Sequence, residues 1–175
     1  MSVCAFTGYR PQKLPYGDDE ASEGCRSLKQ RMFCEILQLT RKGVRTFITG
    51  MARGVDTWAA EIVLELRDAL PELGIQLWAA IPYRRQASAW SEADRQRRED
   101  ILARADKVEH ISLDYFRGAL QKRNRWMVDH ADYLLAVYDG KPGGTKFTID
   151  YACKKGSADY SDRAVVFRRN DVEEE

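Results

Sequence analysis

Three short segments carry the residue types that bind phosphate. Thr7-Gly8-Tyr9-Arg10 brings a hydroxyl, a flexible backbone and a guanidinium together within four residues. Thr49-Gly50-Met51-Ala52-Arg53-Gly54-Val55-Asp56 leads directly into a helical pattern, and Asp139-Gly140-Lys141-Pro142-Gly143-Gly144-Thr145 does the same further on. Glycines at such places let backbone N–H groups approach an anion closely, and the helix that follows offers unpaired N–H groups and a partial positive charge. Arg10, Arg53 and Lys141 add full charges. The chemistry implied is a cradle for a phosphate or phosphoribosyl group. One glycine turn by itself usually does no more than join a strand to a helix. Three that close strands of one sheet say considerably more. There is no Walker A pattern and no G-x-G-x-x-G, which speaks against a P-loop NTPase or a dinucleotide dehydrogenase.

The candidate ligand residues are therefore Thr7, Gly8 and Arg10 from the first turn, Gly50, Arg53, Gly54 and Asp56 from the second, and Asp139, Gly143, Gly144 and Thr145 from the third. Asp56 starts a helix, where a carboxylate complements the dipole; its functional alternative is to accept hydrogen bonds from a ribose hydroxyl. Tyr83, in Pro82-Tyr83-Arg84-Arg85-Gln86, can stack on a base or pack on the surface, with Arg84 or Arg85 available to phosphate. Trp90 has the same two readings. Lys122, Arg123 and Arg125 surround Asn124 and make a basic stripe whose plainest explanation is a solvated helix face. The sequence specifies no metal site: there are two histidines and no C-x-x-C pair among four cysteines. The cysteines are expected to be small buried hydrophobes in a reducing compartment.

The elements that must position these residues follow from periodicity. Short apolar runs at Val3–Phe6, Thr46–Ile48, Ile75–Ile81, Val108–Ser112, Tyr133–Tyr138 and Ala164–Phe167 are closed by turn residues, as buried strands are. Helical spacing relates Leu28, Met32, Ile36 and Leu39, then Val55, Ala59, Ile62, Val63, Leu66 and Leu70 before Pro71. Ser91 to Ala105, a stretch marked by Phe116, Leu120, Met127 and Val128, and a short one at Ile149, Ala152 and Cys153 complete the set. Helices between strands predict right-handed crossovers and a three-layer, doubly wound, mostly parallel α/β sheet of five to six strands. The expected organisation is one Rossmann-like domain over 1–170 and an acidic tail over 171–175. Pro11 to Gly24 reads as a mobile loop beside the exit of the first strand.

Composition limits the function. With 28 Lys+Arg against 27 Asp+Glu the net charge is +1, against a protein whose affinity rests mainly on a long polyanion. Asp171, Glu173, Glu174 and Glu175 contribute four negative charges, so the rest of the chain stands at +5. No apolar run is long enough to cross a bilayer, and MSVCAFTGYR reaches a turn too early for a signal peptide. A cytoplasmic location with no membrane partner is expected.

Thr49–Asp56 resembles the S-G-x-A-x-G-I-D motif of DprA proteins, and Pro142-Gly143-Gly144-Thr145 resembles the P-G-G-x-G-T motif of the LOG phosphoribohydrolases, both within the SLOG superfamily of Rossmann-like nucleotide-ligand binders. Thr7–Arg10, Pro82-Tyr83 with Gln86 and Trp90, Asn124 and Tyr138-Asp139-Gly140 are similar to the YpsA branch, over about residues 3 to 155. The resemblance favours Arg123 and Asn124 over Arg125 as ligand-facing, and it allows a homodimer. LOG enzymes carry a catalytic Glu two or three residues after the Thr of the glycine turn. Here the first carboxylate after Thr145 is Asp150, which a helix turns to another face. The leading expectation is a protein that binds a nucleotide-like phosphorylated ligand, as a sensor or regulator. A phosphoribohydrolase acting on a nucleoside monophosphate and a DprA-like binder of single-stranded nucleic acid are the alternatives, the last weakened by the near-neutral charge.

Overall fold

Strand β1 (Ser2–Gly8) has four consecutive buried residues at its centre, a pattern that only a strand covered on both faces requires. A computed structural model describes residues 1–155 and 164–167. The order of elements is β1, α1 (Glu23–Arg41), β2 (Val44–Thr49), α2 (Val55–Ala69), β3 (Gln76–Ile81), α3 (Glu92–Arg104), β4 (Lys107–His110), α4 (Ala119–Asp129), β5 (Tyr133–Val137), α5 (Gly144–Lys155) and β6 (Ala164–Phe167). All neighbouring strands run parallel, in the order β4-β3-β2-β1-β5-β6.

That order produces two faces. From β1 the chain steps outward to β4 with α1, α2 and α3 packed on one side, over Cys4, Phe6, Phe47, Leu77 and Leu135. It then returns to β5 beside β1, and α4 and α5 cover the other side, over Ala5, Ile48, Ala80 and Leu134. Right-handed crossovers force this change of face when the direction of stepping reverses. The reversal leaves a crevice between the carboxyl ends of β1 and β5.

Local chemistry fixes the helix ends. Ser22 caps α1 by accepting from the Cys25 N–H at 3.3 Å, and Ser91 caps α3 by accepting from that of Asp94 at 3.1 Å. Helix α2 has Gly54 at its N-cap, at φ 83°, and ends just before Pro71. Its buried side chains extend almost all round, Trp58 and Ala59 among them, because α1 and α3 flank it.

Several details differ from the sequence expectation. The fourth helix begins at Ala119, after Gly118 in the left-handed region, so Phe116 is outside it and 43% exposed. Strand β4 ends at His110 rather than Ser112. Cys4 and Cys25 are buried, but Cys34 and Cys153 are exposed, since both occupy outer faces of their helices. Within 11–24, Pro11–Lys13 form a 3-10 turn and α1 already starts at Glu23. The acidic tail lies outside the described residues.

Candidate functional site

The carboxyl end of β2 passes into α2 through residues 50–54, a loop fixed by hydrogen bonds to the first turn of the helix and to side chains that reach it from elsewhere. Thr49 Oγ1 donates to the Asp56 carbonyl at 2.9 Å and accepts from the Met51 N–H at 3.2 Å. Thr57 Oγ1 donates to the Ala52 carbonyl at 2.8 Å, and the Ala52 N–H donates to Asp56 Oδ2 at 3.3 Å. Gln86 Nε2 donates to the Gly50 carbonyl at 3.1 Å. Met51 is held at φ 53°, an uncommon conformation for a residue with a side chain, and it is fully buried. The loop is over-determined by its contacts, so the groups on it are pre-set in position.

Arg123 reaches this loop from α4. Its Nη1 donates to the same Gly50 carbonyl, and its Nε donates to Asn124 Oδ1 at 2.8 Å. Arg123 is 4% exposed and Asp56 7%. A Cβ at Gly50 would collide with the Arg123 guanidinium and stand 2.8 Å from Asp56 Oδ2, so the missing side chain makes room for both charges. Burial pushes the Asp56 carboxyl up, and the positive charges of Arg123 and Arg10 oppose that shift. Burial likewise pushes Arg123 down against the pull of Asp56, yet a guanidinium stays protonated at any physiological pH.

A cavity of about 370 Å³ opens above these two residues. Thr7, Gly8, Tyr9 and Arg10 line it from β1, and Gln12 and Lys13 from the turn that follows. Ala52 and Asp56 form its floor with Arg123, while Leu120, Gln121 and Asn124 of α4 and Gly144 and Thr145 of α5 close the other side. It therefore occupies the switch point of the sheet, where open α/β folds bind ligands. Three cations, Arg10, Lys13 and Arg123, meet one carboxylate there. Lys13 Nζ lies over the Tyr9 ring at 5.6 Å and takes the space a Cβ at Gly143 would need, 2.8 Å away. Tyr9 ties the two sides together: its hydroxyl donates to Asp139 Oδ1. Burial and that carboxylate raise the phenol to about 12, so it remains a donor.

Nine of the fourteen sequence candidates line or floor the cavity or form its loop: Thr7, Gly8, Arg10, Gly50, Asp56, Arg123, Asn124, Gly144 and Thr145. Gly143 borders it through Lys13. The remaining four are turned elsewhere. Gly54 packs against the segment that leaves β1, where a Cβ would be 2.6 Å from the Tyr9 carbonyl oxygen. Arg53 faces a separate cavity of about 240 Å³ and is ion-paired to Asp18 at 2.6 Å and Asp94 at 2.9 Å. Asp139 is engaged by Tyr9 and by the Lys141 N–H at 3.1 Å. Tyr83 lies edge-on to Tyr115, ring centroids 5.3 Å apart.

Among the other sequence suggestions, Arg84 is bonded to the Leu113 carbonyl and Asp114. Trp90 lines the Arg53 cavity. Arg125 sits over the rings of Phe147 and Tyr151. Asp150 pairs with Lys146 at 2.6 Å on the exposed face of α5. Gln12, Lys13, Leu120 and Gln121 escaped sequence reasoning, and Tyr9 was passed over within its own motif. Leu120 and Gln121 stand three residues before Arg123 and Asn124, so helical spacing could have found them. Nothing local marks Lys13, because a 3-10 turn has no periodic signature. Among the described residues, no group of three or more His, Cys, Asp and Glu side chains is arranged to hold a metal ion.

The comparisons with known proteins agree with this architecture. The model of the YspA SLOG family matches residues 4–170. A UPF0398 protein of Halalkalibacterium halodurans is 35% identical over 158 residues, 89% of this chain and 82% of the relative. One from Bacillus cereus is 33% identical over 160 residues, 89% of this chain and 85% of the relative. Among solved structures, the DNA processing protein A of Helicobacter pylori, described with its single-stranded DNA binding mode, superposes with a TM-score of 0.58 at 18% identity, covering 98% of this chain and 79% of its own. That of Streptococcus pneumoniae superposes with a TM-score of 0.57 at 15% identity, covering 100% and 62%. At such identities the likeness is one of fold. No helix among the described residues is long and apolar enough to cross a membrane.

Proposed function

The chain belongs to the YspA SLOG family, and on that premise we propose that it binds a small phosphorylated, nucleotide-derived ligand in the cavity between β1 and β5. The observation that carries this reading is the charge of the cavity. Arg10, Lys13 and Arg123 converge on it, Asp56 is the only carboxylate among the described residues that line it, and the first turn of α5 contributes Gly144 and Thr145. Helix N-terminal N–H groups beside three cations are suited to an anion. The volume lies within the usual range of small-molecule pockets, roughly 300 to 1,000 Å³, which suits a compact ligand better than a polymer.

A phosphoribohydrolase draws less support. Cleavage of an N-glycosidic bond needs a group that activates water beside the ribose. Helix α5 turns Asp150 outward, and Asp56 is committed to the loop backbone and to Arg123.

Thermal denaturation with nucleoside mono- and diphosphates and ADP-ribose tests the reading. A ligand that binds only the native protein raises its melting temperature. No rise with any of these at millimolar concentration overturns the proposal. For a ligand that does bind, Arg10→Ala is expected to weaken affinity by about 1.5–3 kcal/mol, the usual worth of a charge-assisted hydrogen bond, with the fold intact. Release of free base from a bound nucleoside monophosphate would instead favour the hydrolase.

A further inference from the structure

We propose that two copies of the chain associate through β4, the open edge of the sheet. The pairing is antiparallel with its two-fold axis at Val108, so that Lys107 of each copy faces Glu109 of the other. This surface is separate from the ligand cavity, and the inference does not depend on that reading.

Four observations converge on it. Strand β4 ends the sheet, and β3 is its sole partner among the described strands. The Ile111 N–H donates to the Ile81 carbonyl at 2.8 Å, in step with the pairing of Ile81 with His110, so Ile111 turns its backbone groups toward β3. Alternate residues of a strand address opposite neighbours, which turns the backbone of Lys107 and Glu109 toward β3 as well and the N–H and C=O of Val108 toward the open side. In an antiparallel pair, opposed residues whose backbones face each other exchange two hydrogen bonds, and the pairs between them bring their side chains closest. Rotation about Val108 joins the two copies of Val108 by two such bonds and sets Lys107 opposite Glu109 twice in the closer pairs.

Charge follows the same symmetry. An edge lysine normally guards a sheet against chance pairing, unless the approaching strand presents a carboxylate opposite it. Here the strand supplies its own complement: Lys107 and Glu109 have opposite sign and stand symmetrically about Val108. Within one copy the two form only a loose pair at 3.4 Å, each side chain 42% exposed. An identical strand satisfies this symmetry by construction, which selects a second copy over an unrelated partner.

Exposed apolar surface marks the same place. Apart from Met1, the exposed large hydrophobic side chains of the described residues are Val108, Leu113, Tyr115 and Phe116, all within β4 or the loop that leaves it. Apolar side chains clustered in one segment in this way characterise an interaction surface.

Light scattering coupled to size exclusion over a concentration series, with the full chain, tests the pairing. The wild type is expected to dimerise. K107E and E109K each place like charges opposite one another at two points and should raise the dimer dissociation constant roughly tenfold or more. The double variant K107E/E109K restores both pairs and should return the constant to near the wild-type value. A wild type that stays monomeric throughout overturns the proposal. So do single reversals with unchanged association, or a double variant as weak as either single one.

Val108→Cys supplies a second readout that does not depend on charge. The axis sets the two 108 positions opposite each other in a hydrogen-bonded pair, Cα atoms about 5.5 Å apart, within disulfide reach. A cross-linked dimer on a non-reducing gel, above the wild-type background from Cys34 and Cys153, is the expected result. Its absence in folded protein refutes the register.

Discussion

At the scale of single residues, Arg123 shows how a buried cation is tolerated. Its Nη1 and Nε have acceptors in Gly50 and Asn124, and its charge stands opposite Asp56. Removing one member of such a pair leaves the other charge buried without compensation, at a cost of about 3–5 kcal/mol. Arg123→Ala is therefore expected to lose that much in urea unfolding at neutral pH. The pH dependence of the variant carries a further sign. Burial already raises the Asp56 carboxyl, and without Arg123 it rises more. A carboxyl whose folded pKa exceeds its unfolded one favours the native state as pH falls. The deficit of Arg123→Ala should thus shrink between neutral pH and about the ordinary carboxylate pKa, roughly 4. A deficit independent of pH would mean that Asp56 is not the group left stranded.

At the scale of elements, two connections hold the site in place. Gly54 joins the β2 loop to α2 at φ 83° and lies against the Tyr9 carbonyl. Gly54→Val adds both a β-branched side chain in the left-handed region and a collision with backbone. It is expected to cost more than about 2 kcal/mol, measured as a shift in the unfolding midpoint. The second connection is the loop between β1 and α1. Glu20 accepts from Lys29 of α1 and from Arg97 of α3, each at 2.6 Å, and Arg97 also donates to Glu61 of α2. Burial would raise the Glu20 carboxyl, but the hydrogen bonds from Arg97 and Lys29 prevail and hold it at about 2. Its unfolded value is about 4.3. The stabilisation it gives is therefore complete above roughly 4.3 and lost as pH falls toward 2. Glu20→Gln should be less stable than wild type at neutral pH and should lose less stability through that acid window. Parallel acid profiles of the two proteins would contradict the strap.

At the scale of the whole molecule, the reversal of strand order decides where chemistry can occur. It parts the loops of β1 and β5 and leaves between them a cavity with three cations, in a chain whose net charge is only +1. A small anionic ligand releases few counterions, whereas a nucleic acid bound along several phosphates gives a steep dependence on salt. Single-stranded oligonucleotides are expected to show no retardation at physiological ionic strength. Strong, steeply salt-sensitive retardation would instead assign the cavity, or a surface beside it, to nucleic acid.

How much of this was legible beforehand depended on the range of the interaction concerned. The three glycine turns, a mostly parallel sheet of five to six strands and the place of Arg123 and Asn124 beside those turns could be read from the sequence or from its motifs. Each depends on backbone conformation, on periodicity or on a short motif, and these are properties of neighbouring residues. Arg53 could not be placed in that way. It has the same local signature as Arg10, yet Asp18 and Asp94, distant in the chain, turn it into another cavity. Tyr9 and Lys13 gained their positions from Asp139 and Gly143 across the sheet. The openness of β4, too, is a property of strand order rather than of its four residues. The sequence by itself determined which segments can approach an anion, because glycine and helix ends act locally. Only the tertiary structure decided which charges meet, because electrostatic partners are chosen by distance in space, and the crossovers set that distance.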